Sequence, residues 1–186
     1  VLRAALLAEL AVLEVCQFLR KSGVDVTLVP VNKDGMVEVE TIKRALRPET
    51  ILVSIMYANN ETGSIQPIAE IGKMLDNHKA VFHTDACQAG LLDLQVNKLH
   101  VDLMTLNAAK VYGPKGVGIL YRRSNLHLQP LVHGGGQEFG LRSGTENVAG
   151  IIGCAAALER IQKTRQKEWQ RLQSLKLLFT KGISEI

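Results

Sequence analysis

The run ILVSIMYA (51–58) is short, almost wholly apolar and followed by polar residues, and AVFHTD (80–85) and VDLMTLN (101–107) read as two further strands that end in polar residues. A strand with one face in water alternates apolar and polar side chains, whereas a strand covered on both faces does not need to. The first run therefore calls for a sheet buried on both sides. The segments between the three have helical character. PIAEIGKMLDNH (67–78) is amphipathic and opens with Pro67, expected at the first helical position. Upstream, residues 6–20 carry Leu, Val and Ala at helical spacing, VDVTLVPV (24–31) alternates as a strand, and NKDG is a turn. VETIKRAL (39–46) is a short helix stopped by Pro48. Downstream, GVGILYRR (116–123) is the expected hairpin partner of 101–107 across YGPKG, and 146–180 is helical with a break near Thr164. Strands alternating with helices predict an α/β fold with a mostly parallel sheet and an antiparallel edge.

The 186 residues suit one domain, with no internal repeat and no linker, and the glycine triplet 134–136 is the one strongly flexible point. A net charge of +4 comes without any block of like charges, and aromatic residues make up only 4 %, too few for a base-stacking platform. Direct nucleic-acid binding is not expected. Cys16, Cys87 and Cys154 are odd in number, far apart and form no CxxC pair, which argues against a disulfide framework or a zinc site and for a reducing compartment. The opening VLRAALLAELAVLEV is interrupted by Glu9 and Glu14, so neither a signal peptide nor a membrane span is expected.

In an open α/β sheet, ligands bind beyond the carboxyl ends of the strands. Three such ends carry chemistry here: ILVSIMYANNE delivers Asn60 and Glu61, AVFHTDACQ delivers Asp85 and Gln88, and VDLMTLNAAK delivers Lys110. If the strands are neighbours, an amide, a carboxylate and an amine share one crevice. That set suits pyridoxal phosphate. An amine can bond the cofactor aldehyde, a carboxylate keeps the ring nitrogen protonated, and amides can donate to the ring oxygen. Plainer readings stay open for each residue. Lys110 alone is a solvated charge, Asp85 and Gln88 could cap a helix beginning near Ala86, and Asn60 could serve the NNETG turn. His83, inside a strand, reads as a satisfied core histidine. YGPKGVG lacks the order of a phosphate loop and precedes a strand, so nucleotide binding there is not expected.

VSIMYANNETGSIQPIAEIG, HTDACQAG, KVYGPKGVGILY and HGGGQEFGLRSGTENVAGIIG, in that order, closely resemble the NifS-like cysteine desulfurases and selenocysteine lyases of the class-V aminotransferase family. The resemblance implies the three-layer, mostly parallel large domain of a dimeric fold-type I pyridoxal phosphate enzyme. It implies a protein that takes sulfur from L-cysteine, leaves alanine and a persulfide, and passes the sulfur to an acceptor such as an iron–sulfur scaffold protein. By position, Lys110 matches the lysine that carries the cofactor and Asp85 the carboxylate on the ring nitrogen. Gln88 and Asn60 match the amides at the ring oxygen, and Thr145 the threonine that reaches the phosphate of the partner subunit.

Departures are also visible. Asn107 stands where a phosphate-binding serine is usual, Ala109 where a histidine is usual, and Glu9 in the place of the histidine that stacks on the ring. None of the three cysteines matches the family's nucleophile. On this resemblance residues 1–186 are expected to form a single cofactor-binding large domain, truncated at both ends. Residues 1–10 are atypical, and the small domain with the nucleophilic cysteine lies outside. The expectation is a cytoplasmic cysteine desulfurase-like transferase, with no metal and no membrane, present here as an incomplete or inactive portion. The alternatives are a catalytically dead scaffold or dimer partner that keeps the fold, a selenocysteine lyase, or a plain phosphate- or nucleotide-binding module.

Overall fold

A computed structural model describes the backbone of residues 2–5 and 10–185 and the side chains of 11–185. Six strands form one sheet: β1 (Leu2–Ala5), β2 (Val26–Val29), β3 (Leu52–Met56), β4 (Val81–Asp85), β5 (Leu103–Asn107) and β6 (Gly118–Arg122). Their spatial order is β2-β1-β3-β4-β5-β6, all parallel except β6, which returns antiparallel along β5. The parallel sheet, its antiparallel edge and the hairpin across YGPKG are as the sequence predicts.

Helices cover both faces because the buried strands present apolar residues to both. Val53, Ile55, Phe82 and Met104 point to one side, where they meet α2 (Val39–Ala45) through Ile42, α3 (Ile68–Leu75) through Ile68, Ile71 and Leu75, and α4 (Val96–Leu99) through Leu99. On the other side Val26, Leu28 and Leu52 meet α1 (Leu10–Lys21) through Val12, Cys16 and Leu19. The long α5 (Val148–Ser184) packs its first half against the turn that follows β5. Farther along, Leu177, Leu178 and Phe179 of α5 are exposed.

Several expectations are corrected. A strand, β1, lies second from the sheet's edge, between β2 and β3, at residues 2–5, ahead of the helix expected from residue 6. The helix starts at Leu10, and residues 6–9, with the Glu9 substitution, lie outside the described residues. Pro67 is the N-cap of α3 rather than its first helical residue. No break occurs near Thr164: α5 runs on, and the Thr164 hydroxyl donates to the Arg160 carbonyl one turn back at 3.0 Å, so nothing polar forces the helix open. Within and after the glycine triplet two side chains make hydrogen bonds to the backbone. Ser143 Oγ donates to the Gly135 carbonyl at 2.7 Å, and the Gly144 N–H donates to Gln137 Oε1 at 3.1 Å.

Candidate active site

Asp85 is the last residue of β4 and is only 8 % exposed. Its backbone is locked on both sides. The Tyr57 N–H donates to the Asp85 carbonyl at 2.7 Å, and the Ala86 N–H donates to the Thr105 carbonyl at 3.0 Å. In register, Asp85 lies between Met56 on β3 and Thr105 on β5. No helix begins at Ala86. Residues 86–92 form turns instead, and Asp85 Oδ1 accepts from the Cys87 N–H at 3.0 Å. The capping alternative thus holds in reduced form, for a turn and through one oxygen. Among the described residues Oδ2 has no hydrogen-bond partner, and no cation pairs with the carboxylate. A buried carboxylate in that condition calls for a positively charged or N–H-bearing group in front of it.

Lys110 stands on a 3-10 turn, Ala108–Val111, directly after β5, and is exposed. Asn107 caps this turn, its Oδ1 accepting from the Ala109 N–H at 2.9 Å. Tyr112 closes it in a left-handed conformation, φ 63°, and the Gly113 N–H returns to the Ala108 carbonyl at 2.8 Å. One close approach joins this turn to the Asp85 segment. A Cβ built on buried Gly90 would fall 2.4 Å from Val111 Cγ1, so the chain after Gln88 is pressed onto the residue next to Lys110. α5 fastens the same segment: Gln162 Nε2 donates to the carbonyls of Gly90 (2.7 Å) and Leu92 (3.1 Å), and Arg165 pairs with Asp93 at 3.5 Å. Gln88, half-buried, lies between these two fixed points.

At the end of β3 the NNETG turn is built by Asn59, not Asn60. Asn59 Oδ1 accepts from the N–H groups of Glu61 (2.9 Å) and Thr62 (2.8 Å). The turn reading of Asn60 therefore belongs to its neighbour, and Asn60 itself is exposed at the same sheet edge. Thr145, also exposed, is on the loop before α5. The structure thus brings Asn60, Asp85, Gln88, Asn107 and Lys110 to adjacent strand ends, and sets Thr145 on a separate loop.

Cys16 and Cys154 are buried on α1 and α5, as their apolar helical settings predict, and burial pushes the Cys16 thiol up despite Arg20. A groove of about 750 Å³ runs between Tyr112 and the α5 face bearing Gly153, Ala156 and Ala157. None of the strand-end candidates lines it.

Sequence reading missed a polar line beneath the site. Ser54 Oγ is 2.8 Å from His83 Nδ1, and His83 Nε2 is 3.4 Å from Thr105 Oγ1. Burial pushes the His83 imidazole below its ordinary pKa, against the smaller upward pull of Asp85. The satisfied-histidine reading of His83 is correct. The available signal was a polar residue inside each of the three strand segments, Ser54, His83 and Thr105 among them.

The Aminotransferase class-V pattern matches residues 8–186. "Cysteine desulfurase IscS" of Clostridium botulinum (strain Hall) is 48 % identical over 174 residues, covering 93 % of this chain and 44 % of that protein. The fold superposes on a solved NifS-like protein with a TM-score of 0.95 at 38 % identity, covering 99 % of this chain and 51 % of that one. It also superposes on SspA in complex with cysteine, with a TM-score of 0.83 at 39 % identity, covering 93 % of this chain and 52 % of that one. The chain spans about half the length of these relatives or less. With the family pattern running over nearly its whole length, the chain belongs to the class-V aminotransferases and is a homologue of the cysteine desulfurases among them.

Proposed function

We propose that this chain is the pyridoxal phosphate-binding part of a cysteine desulfurase, a transferase that removes sulfur from L-cysteine. The observation that carries the reading is Asp85: a buried carboxylate at a strand end, one oxygen held by a backbone N–H and the other unpartnered among the described residues. The cysteine-bound relative supports the substrate.

Pyridoxal phosphate, when bound, supplies an electron sink for charge developing on the substrate α-carbon. The residues of the chain do the rest. Asp85 Oδ2 holds the proton on the ring nitrogen. Lys110 Nζ would hold the cofactor through its aldehyde carbon and, once the substrate amine has displaced it from that carbon, would be the free amine that moves the proton at the substrate Cα. Gln88 and Asn60 donate to the ring oxygen. Asn107 has committed its oxygen to the turn, so its amide N–H groups are left for a phosphate oxygen. Thr145 serves the phosphate of a second copy. Support for that homodimer comes from Phe139 and Leu131, 97 % and 95 % exposed on the segment leading to Thr145, an apolar surface that association would cover. The sulfur acceptor is a partner protein of the iron–sulfur scaffold type. The three free cysteines fit a reducing compartment such as the cytoplasm, and among the described residues no helix is long and apolar enough to cross a membrane.

Reduction with borohydride after incubation with pyridoxal phosphate, followed by peptide mapping, tests the assignment. The expected adduct is on Lys110. An adduct on Lys115 overturns it.

A further inference from the structure

Ser54, His83 and Thr105 lie on β3, β4 and β5, the three neighbouring strands whose ends carry Asn60, Asp85 and Lys110. Ser54 is paired in register with His83, and Asp85 with Thr105. His83 and Asp85, two apart on one strand, share a face of the sheet. The imidazole therefore spans all three strands one step below the site, with Ser54 Oγ on Nδ1 and Thr105 Oγ1 on Nε2. Backbone ladders fix the distance between strands, and past the strand ends they continue in single hydrogen bonds, Tyr57 N–H to the Asp85 carbonyl and Ala86 N–H to the Thr105 carbonyl, that leave the ends room to splay. A side-chain bridge on that face opposes the splay.

We propose that His83 is a positioning residue that holds the ends of β3, β4 and β5 together, and with them Asn60, Asp85 and Lys110, through Ser54 and Thr105. The bridge works with a neutral ring. One ring nitrogen then donates and the other accepts, and each hydroxyl takes the complementary role. The proposal rests on the cofactor reading above only for its consequence; the bridge itself stands on the hydrogen bonds.

Three variants test it. His83→Gln keeps an acceptor and a donor, His83→Leu removes both, and Thr105→Val removes only the β5 hydroxyl at nearly unchanged shape. The first readout needs no cofactor: the amide resonances of Cys87, which donates to Asp85, and of Ala109, which donates to Asn107, report on the ends of β4 and β5. Both are expected to move or broaden in His83→Leu, the Ala109 resonance to move in Thr105→Val, and both to stay near the parent positions in His83→Gln. The ring ¹⁵N resonances of the parent are expected to show one protonated and one unprotonated nitrogen at neutral pH. The second readout is pyridoxal phosphate affinity, expected to fall about tenfold in His83→Leu and to recover in His83→Gln. Should His83→Leu not fold, Thr105→Val and His83→Gln decide the matter. Unmoved amides in Thr105→Val, His83→Gln as impaired as His83→Leu, or a doubly protonated ring would each overturn the bridge. A parent that takes up no pyridoxal phosphate would sink the functional reading, while the amide resonances would still judge the bridge.

Discussion

Gly90→Ala should loosen the Lys110 turn without touching Lys110. Gly90 is buried, and an added Cβ would meet Val111 Cγ1 at 2.4 Å and Ile161 Cδ1 at 3.6 Å. Carbon atoms in contact prefer about 3.5–4.0 Å, so the first pair must part by about 1 Å or more. Val111 cannot simply rotate away. It is β-branched with a stiff χ1, it is 3 % exposed, and it ends a four-residue 3-10 turn closed by the Asn107 cap and the Gly113–Ala108 hydrogen bond. The backbone of the turn must give, and Lys110 moves with it. Overpacking of this kind costs about 1–3 kcal/mol. The stiffer unfolded chain of the alanine variant offsets about 0.4–1 kcal/mol. A net loss of about 1–2 kcal/mol in urea unfolding is expected.

Val111→Ala alone should cost about 2–3 kcal/mol through lost burial and the cavity left behind. Combined, the new methyl at 90 fills the space vacated at 111. The double variant should therefore be more stable than the two losses together require, by about 1 kcal/mol or more. Pyridoxal phosphate retention should follow the same order, falling about tenfold in Gly90→Ala and partly restored in the pair. Gly136→Ala is the control, since nothing lies within 4 Å of its Cβ position. Additivity within about 0.5 kcal/mol, or a Gly90→Ala protein identical to the parent in stability and cofactor retention, would refute the contact as the link between the Asp85 and Lys110 segments.

Asp85→Asn should slow reaction with amino acids about tenfold or more, because each lost pKa unit of support for the ring proton is worth a factor of ten; stopped-flow absorbance measures it, and parent-like rates would reduce Asp85 to a turn cap. His83 is held below its ordinary pKa, so the unfolded chain takes up a proton that the native chain resists. The stability it contributes is full above about pH 6.5 and is lost as pH falls below that toward its native value; urea midpoints should drop more steeply with acid in the parent than in His83→Gln. A sulfide-release assay with cysteine should find no turnover by this chain above free pyridoxal phosphate, because Cys16 and Cys154 are buried and Cys87 lies in the turn fixed to Asp85; robust turnover abolished by Cys87→Ala would place the nucleophile there. Sedimentation at micromolar concentration should show a dimer that Phe139→Ser weakens, and a monomer that binds the cofactor tightly would remove Thr145 from the site.

The sequence made β3 readable because a nearly unbroken apolar run bounded by turns has few other interpretations, and β4 and β5 because short segments rich in apolar residues recur between helical ones. β1 was hidden because leucine and alanine favour helix locally, and only pairing with β2 and β3, far away in sequence, makes that stretch a strand. α4, four residues long, carries too little periodicity to read. The strand-end candidates were legible through a topological rule, since the ends of neighbouring parallel strands share an edge whatever the details. Register was not legible. Nothing in ILVSIMYA and AVFHTD alone says that Ser54 stands opposite His83 rather than one residue away, and a one-residue slip would send the serine to the other face. The choice of Asn59 over Asn60 for the turn is likewise a matter of backbone geometry, because both asparagines satisfy the compositional rule.

The unequal anchoring of the two main candidates matches what each is asked to do. A carboxylate that holds charge opposite a ring nitrogen gains from immobility, since a fixed dipole or charge needs no rearrangement during reaction. Asp85 has that immobility: strand hydrogen bonds, a carbonyl tied to Tyr57, a carboxylate oxygen tied to Cys87, and burial. A group that moves a proton must instead change position relative to its partner. Lys110 is exposed and its side chain is long, on a turn held by the Asn107 cap and by the Gly113–Ala108 and Ala108–Val117 backbone hydrogen bonds. Restricting the Lys110 side chain should therefore harm proton transfer more than cofactor retention, whereas loosening Asp85 should do the reverse. If both kinds of variant lower retention and transfer in the same proportion, the division of labour between a rigid strand end and a mobile side chain is wrong.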